Sequence, residues 1–219
     1  MNYRVVLFDL DGTLLNTLED LADSMNASLA AMDLPAHPID SYRYFVGDGM
    51  VNLARRALPE EMRSDEAIVG RLVVRMRSEY QKRWDSRTRP YDGIGELLDE
   101  LVERRVKMAV LSNKSHDFTQ LCVSKLLGRW HFDAVLGGGE VPHKPDPKGA
   151  LKIASDLAVP PAEFIYLGDS GTDMKTAAAA GMYGVGALWG FRDAEELIAG
   201  GAKTLIERPM ELLRLLERG

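Results

Sequence analysis

The sequence predicts an α/β protein: a doubly wound, parallel, Rossmann-like sheet with a small all-helical domain inserted near its start. Three observations carry this. Short apolar runs recur along the chain with helical patterns between them, the signature of crossover units that bury a parallel sheet on both faces. One long stretch after the first run holds helical periodicity only. Polar residues of kinds used in catalysis gather just past the carboxyl ends of four predicted strands, where open parallel sheets bind ligands.

The first predicted strand, Val5 to Leu10 in "VVLFDLDGTLLNT", ends on two carboxylates one residue apart, Asp9 and Asp11, and then a glycine. From Thr17 to about Trp84 no strand is expected. Leu18, Leu21, Ala22, Met25, Leu29 and Met32 recur at helical spacing, as do Ile68, Leu72, Met76 and Tyr80, and the breaks "MDLPAHPID" and "LPEEMRSDE" separate three helical patterns. Residues 17–85 are therefore expected to form the inserted helical domain, with residues 1–16 and 86–219 forming the α/β core. Pro90 and Gly93 in "SRTRPYDGI" punctuate the return.

Four more strands follow, at Lys107 to Ser112, Asp133 to Leu136, Phe164 to Gly168 and Tyr183 to Leu188. "KTAAAAG" reads as a tightly packed helix end with Gly181 as its C-cap. "GVGALWG" lacks the G-x-G-x-x-G spacing of a nucleotide loop and reads as a strand with its exit loop. Cys122 lies in the helical pattern "FTQLCVSKLL" and is expected to pack in the core.

Composition narrows the function classes. With 219 residues the chain can bury a sizeable core. A net charge of −6 and a pI near 5.3 supply no basic footprint for nucleic acid or an anionic membrane. No leader of signal-peptide type and no membrane-spanning run is expected, and a single cysteine suits a reducing compartment, so the expected location is cytoplasmic.

The four strand ends carry Asp9 and Asp11; "SNK", Ser112 to Lys114; "GGGEVPHKPDP", leading to Lys144; and "GDSGTD", with Asp169 and Asp173. Singly, each has a plain structural reading as a turn former, helix cap, bonded hydroxyl or solvated charge. Together Asp9, Asp11 and Asp169, with Lys144 and Ser112, bring three carboxylates, a lysine and a hydroxyl to one edge of a sheet. Neighbouring carboxylates raise one another's pKa unless a cation sits among them. Magnesium fits such a site, since it takes one or two carboxylates and binds phosphate oxygens, and the expected substrate is a small phosphorylated metabolite.

"DLDGT", a strand-end serine, the lysine of "KPDP" and "GDSGTDM" resemble, in order, the four motifs of the haloacid dehalogenase-like (HAD) phosphatases. The resemblance covers nearly the whole chain, including a helical cap inserted after the first motif. It implies Asp9 as the nucleophile that forms an aspartyl-phosphate and Asp11 as general acid and base. It further implies Ser112 and Lys144 on the transferring phosphoryl group. Metal contacts would come from Asp9, the backbone carbonyl of Asp11 and Asp169, with Asp173 completing the metal shell or orienting Lys144. Gly12 and Thr13 are expected to offer backbone N–H groups to phosphate, with Asn113 a further phosphate or substrate contact. Asp11 favours phosphate chemistry over dehalogenation, because halide leaves without protonation.

Within the expected cap, "YFVGDGMVNLARRAL" resembles the phosphoglycolate phosphatase branch, as do "RPYDGI" and "GGGEVPHKPDP". Gly47, Asp48 and Gly49 thus become candidate substrate contacts, beside a simpler reading as a turn capped by Asp48 or Asn52 that leads into a helix. Arg43, Arg55 and Arg56 are weaker candidates for a substrate carboxylate. The cap is expected to close over the site and exclude water. Asn16 and Thr17 depart from the usual pattern without touching a proposed catalytic group; His143 stands before Lys144 where relatives often have a basic residue, and reads as a loop histidine of no catalytic role or as a pH-dependent charge near the site.

The expected function is magnesium-dependent hydrolysis of a small phosphomonoester, with 2-phosphoglycolate leading, in a monomer or homodimer. Alternatives within the family are a pyrophosphatase or a phosphosugar phosphatase or mutase. A receiver-like phospho-accepting module and a binding protein that has lost catalysis are the readings from other classes.

Overall fold

A computed structural model describes residues 3–216. In chain order it contains β1 (Val5–Phe8), β2 (Leu15–Asn16), α1 (Leu18–Ala30), α2 (Tyr42–Phe45), α3 (Gly49–Ala57), α4 (Glu66–Arg83), β3 (Arg89–Pro90), α5 (Ile94–Glu103) and β4 (Lys107–Ser115). There follow α6 (His116–Leu126), β5 (Ala134–Gly138), α7 (Lys148–Asp156), β6 (Phe164–Gly168), α8 (Gly171–Ala180), β7 (Tyr183–Ala187), α9 (Ala194–Gly200), β8 (Thr204–Ile206) and α10 (Leu213–Leu216). Two compact units result: the described residues up to Leu15 and from Pro90 onward, and Asn16–Arg89.

The first unit is built on a six-stranded sheet in the order β5-β4-β1-β6-β7-β8, with neighbouring strands parallel throughout. β1 lies in the interior, and every residue of β1 and β6 is buried, as expected of a sheet covered on both faces. On one face Val5, Leu7, Ala109, Leu111, Phe164 and Tyr166 pack against Ala150, Ile153 and Ala154 of α7 and Ala177 and Ala180 of α8. The strand order reverses between β1 and β6, where an open α/β sheet leaves a crevice beyond the strand ends. Asp9 and Asp169 stand immediately past those two strands.

The structure departs from the predicted elements at their ends. β1 stops at Phe8, because the Leu10 carbonyl turns back to accept the N–H groups of Thr13, Leu14 and Leu15. β4 continues to Ser115, with its register against β5 shifting between Leu111 and Ser115. Asp133 stays outside β5 and accepts the Met108 N–H at 3.0 Å. The edge strand β8 was not expected. As foreseen, Gly181 ends α8 in the left-handed conformation and Cys122 is fully buried in α6.

Asn16–Arg89 is helical. Leu21, Met25 and Leu29 of α1 and Leu72, Met76 and Tyr80 of α4 are buried, and these two helices pack on each other. Asp65 caps α4 by accepting from Ala67 and Ile68 at 2.9 and 3.1 Å. Buried Asp20 accepts the Arg87 N–H and both the N–H and hydroxyl of Thr88, tying the returning chain to the start of α1. Glu19 and Asp23 reinforce this by pairing with the Arg87 guanidinium. No described helix is long and apolar enough to cross a membrane.

Candidate active site

Asp9, Asp169 and Asp173 are buried together, each offering a carboxylate oxygen within 4.8 Å of the others. The plain structural readings of Asp9 and Asp169 fail here. The N-cap of α8 is Ser170 rather than Asp169, and Asp9 bonds to a lysine instead of a helix end. Ser170 and Asp173 form a capping box, in which Ser170 Oγ accepts the Asp173 N–H at 3.3 Å and Asp173 Oδ2 accepts the Ser170 N–H at 3.1 Å. The local sequence Ser-x-x-Asp that starts α8 thereby also fixes the carboxylate that faces Lys144.

Lys144 is buried and uses all three ammonium donors, to Asp173 Oδ1 at 2.7 Å, Asp9 Oδ1 at 2.8 Å and the Leu111 carbonyl at 3.1 Å. Burial opposes its charge, but Asp173 and Asp9 hold its pKa well above 10.5. One ammonium does not satisfy three carboxylates. Burial, then the charge of Asp173, pushes Asp9 well above the usual carboxylate range against the pull of Lys144. Asp169 is pushed up to about 7 by burial and Asp173, opposed by the Phe191 N–H and by Arg192 and Lys144.

Asp169 is gripped from two sides. Its Oδ1 accepts the Thr13 hydroxyl at 3.3 Å and its Oδ2 accepts the Phe191 N–H at 2.7 Å. Two glycines make room for it: a Cβ on Gly12, whose φ is +90°, would lie 2.3 Å from Asp169 Oδ2, and one on Gly190 would lie 2.2 Å from Asp169 Cβ. Trp189 steadies the same turn by donating its indole N–H to the Thr13 carbonyl at 3.0 Å. Glu196 pairs with Arg192 and accepts the Gly171 N–H, which joins the exit loop of β7 to the start of α8.

Gly12 and Thr13, expected to offer backbone N–H groups to phosphate, bond inside the turn, Gly12 to the Leu15 carbonyl and Thr13 to that of Leu10. Both also seat Asp169. Asn113, expected as a phosphate or substrate contact, clamps the Lys144 backbone: its amide accepts the Lys144 N–H at 2.8 Å and donates to the Lys144 carbonyl at 3.2 Å. Ser112 is buried and its hydroxyl accepts the Lys114 N–H at 3.2 Å, which leaves the hydroxyl proton to donate.

Asp11 stands apart from the carboxylate cluster. It is paired through both oxygens with Lys114, at 3.0 and 3.1 Å. Lys114 was not singled out from the sequence, although it closes the same "SNK" strand end and the crowding of Asp9 and Asp11 called for a second cation.

Gly47, Asp48 and Gly49 lie in the helical unit, where they turn the chain into α3. Asp48 makes no side-chain cap bond and pairs instead with Arg56, which also donates to the Phe45 carbonyl; Asn52 donates to the Asp48 carbonyl. Arg55 is held by Glu66 and the Arg63 carbonyl, and Arg43 lies 3.8 Å from Asp40. His143 is exposed in the loop before Lys144.

The donor set fits a hard divalent cation: buried, crowded oxygen ligands with too little positive charge among them. Asp9 and Asp169 are the carboxylates best placed to hold it, because both Asp173 oxygens are engaged by Lys144 and Ser170.

A family model described as haloacid dehalogenase-like hydrolase matches residues 6–187. A phosphoglycolate phosphatase from Xylella fastidiosa (strain 9a5c) is 34% identical over 214 residues, covering 96% of this chain and 92% of that protein. One from Thiobacillus denitrificans is 33% identical over 182 residues, covering 81% of this chain and 80% of its own. Among solved structures, a hydrolase from Pseudomonas syringae matches with a TM-score of 0.80 at 25% identity, covering 98% of both chains.

Proposed function

The chain belongs to the haloacid dehalogenase-like hydrolases, and from that membership and the geometry of its site we propose that it is a magnesium-dependent phosphatase. Its proposed reaction is hydrolysis of a small phosphomonoester, 2-phosphoglycolate, through an aspartyl-phosphate. The choice of substrate is supported by relatives at 33–34% identity that are named phosphoglycolate phosphatase. Residues 17–85 are read as the cap domain that selects the substrate.

The observation that carries the reading is the hold on Asp9. Lys144 bonds to one of its oxygens at the point where the strand order reverses, with Asp11 two residues further along and Asp169 and Asp173 beside it. In the proposed reaction an Asp9 oxygen attacks phosphorus, the ester P–O bond breaks, and Asp11 gives its proton to the departing alkoxide oxygen. Asp11 then takes a proton from water, whose oxygen attacks the phosphorus of the aspartyl-phosphate; the P–O bond to Asp9 breaks and inorganic phosphate leaves. Ser112 donates to a phosphoryl oxygen and Lys144 offsets charge on Asp9 and on the group in transfer. Asp9, Asp169 and the Asp11 carbonyl would hold the magnesium ion, which would supply positive charge for the nucleophile and the phosphoryl oxygens. Asp173 orients Lys144.

The test is phosphate release from a panel of small phosphoesters with and without magnesium, with Asp9→Asn as the control. Multiple turnovers on 2-phosphoglycolate, abolished by the substitution and by chelation, are expected. Turnover that survives Asp9→Asn overturns the mechanism, and preference for a different phosphoester overturns the substrate.

A further inference from the structure

A phosphoester with a carboxylate needs two anion receptors, and the group around Lys144 provides for the phosphoryl end. For the other, the sequence offers Arg43, Arg55 and Arg56. Arg55 and Arg56 are engaged by Glu66, Asp48 and backbone carbonyls of the helical unit. The cation bonded to Asp11, the residue proposed to serve the leaving group, is Lys114. Its side chain is 6% exposed and that of Asp11, to which it is bonded through both carboxylate oxygens, is 12% exposed.

β4 aims it there. The strand loses its regular register after Leu111, and the Lys114 N–H turns in to the Ser112 hydroxyl. Ser112 and Lys114 thus leave the same strand end, one on the phosphoryl side of the site and one beside Asp11.

We propose that Lys114 is the receptor for the substrate carboxylate, and that Asp11 holds the ammonium until a substrate carboxylate takes it over. This rests on the function proposed above, in which Asp11 protonates the ester oxygen. In 2-phosphoglycolate a carboxylate oxygen lies about 3 Å from that ester oxygen by ordinary bond lengths. A cation 3.0 Å from the Asp11 carboxylate is therefore within reach of a carboxylate one carbon beyond the oxygen that Asp11 serves. The exchange keeps the buried ammonium paired throughout, so it never stands alone in a poorly solvated site. It also couples recognition to chemistry: the carboxylate that docks on Lys114 frees the Asp11 carboxylate, which takes up a proton from solvent and then donates it to the ester oxygen. A phosphoester with a neutral tail leaves Asp11 tied to Lys114.

The experiment compares kcat/KM for 2-phosphoglycolate and for ethyl phosphate, which replaces the carboxylate with a methyl group, in wild type and in Lys114→Met, Lys114→Gln and Lys114→Arg. The wild type is expected to favour 2-phosphoglycolate. The Met and Gln variants should lose roughly 10- to 100-fold of that preference, as befits one charge-assisted hydrogen bond, and Arg should retain most of it. Melting curves with magnesium identify any variant that fails to fold, and the preference is read from those that do. If both substrates lose activity equally, Lys114 only positions Asp11 and the inference falls while the proposed function stands. If the wild type itself has no preference for the carboxylate, the proposed substrate falls first and the inference with it.

Discussion

Replacing Asp169 with asparagine separates the strain of crowded carboxylates from the chemistry they serve. Burial and the Asp173 charge push the Asp169 carboxyl from 3.8 to about 7. In the unfolded chain the same group ionises near its ordinary value, so between those limits the folded protein retains a proton that the unfolded chain has released. Metal-free stability is therefore lost as pH rises from about 4 through about 7. By pH 8 the loss tied to this group is roughly 4 kcal/mol, from 1.36 kcal/mol for each pH interval.

Asparagine removes that charge and keeps both bonds. Its carbonyl accepts the Phe191 N–H, and its amide donates to the Thr13 hydroxyl, which reverses from donor to acceptor. The charge assistance these bonds give the ionised carboxylate is already contained in the shift to about 7, which the Phe191 N–H lowers. Metal-free Asp169→Asn should then exceed the wild type at pH 8 by roughly 4 kcal/mol, or about 8–16 °C in Tm for a chain of this size, and by only about 1–2 kcal/mol at pH 5. Calorimetric melts in chelator at the two pH values measure the gap. A parallel magnesium titration should raise the Tm of the wild type alone, and turnover should be lost in the variant. If the variant melts below the wild type by the same margin at both pH values, carboxylate repulsion does not strain this site and the case for a resident cation fails.

Other outcomes follow from single contacts. Gly190→Ala places a methyl group 2.2 Å from Asp169 Cβ and 2.5 Å from the Gly12 carbonyl, so Asp169 must shift; turnover should fall about 100-fold or more, with weaker magnesium dependence in a Tm titration. Asn113→Ala removes both bonds to the Lys144 backbone and should cost about 1–3 kcal/mol in urea unfolding, lowering kcat more than it raises KM. Cys122 is fully buried, so a thiol reagent should modify the native protein only slowly and the urea-unfolded chain at once.

The order of strands and helices was legible because buried parallel strands and amphipathic helices leave opposite periodicities in the sequence. β8 was not, since three residues are too few to carry a period. Asp9, Lys144 and Asp173 were found through the strand ends they follow and come together as a bonded group. Asn113 and Gly12 were also noticed there, but their roles depend on where other segments return. The Asn113 amide meets the backbone of Lys144, and the space at Gly12 is filled by Asp169. Phe191 escaped notice because it acts through its backbone N–H, which no side-chain pattern announces.

The place of β1 in the sheet also bears on how the chain is made. Val5 pairs with Lys107 on one side and Phe164 on the other, so the wholly apolar strand Val5–Phe8 leaves the ribosome long before either neighbour exists. At roughly 5–20 residues per second that interval is on the order of 10 s. Throughout it the nascent chain carries an unpaired hydrophobic strand, the kind of segment that associates with its copies on neighbouring polysomes. Asp9 and Asp11 sit directly behind it, and their like charges oppose such stacking. The pair that the finished protein holds with two lysines is thus, in the unfinished one, a charged flank of the kind that opposes strand association.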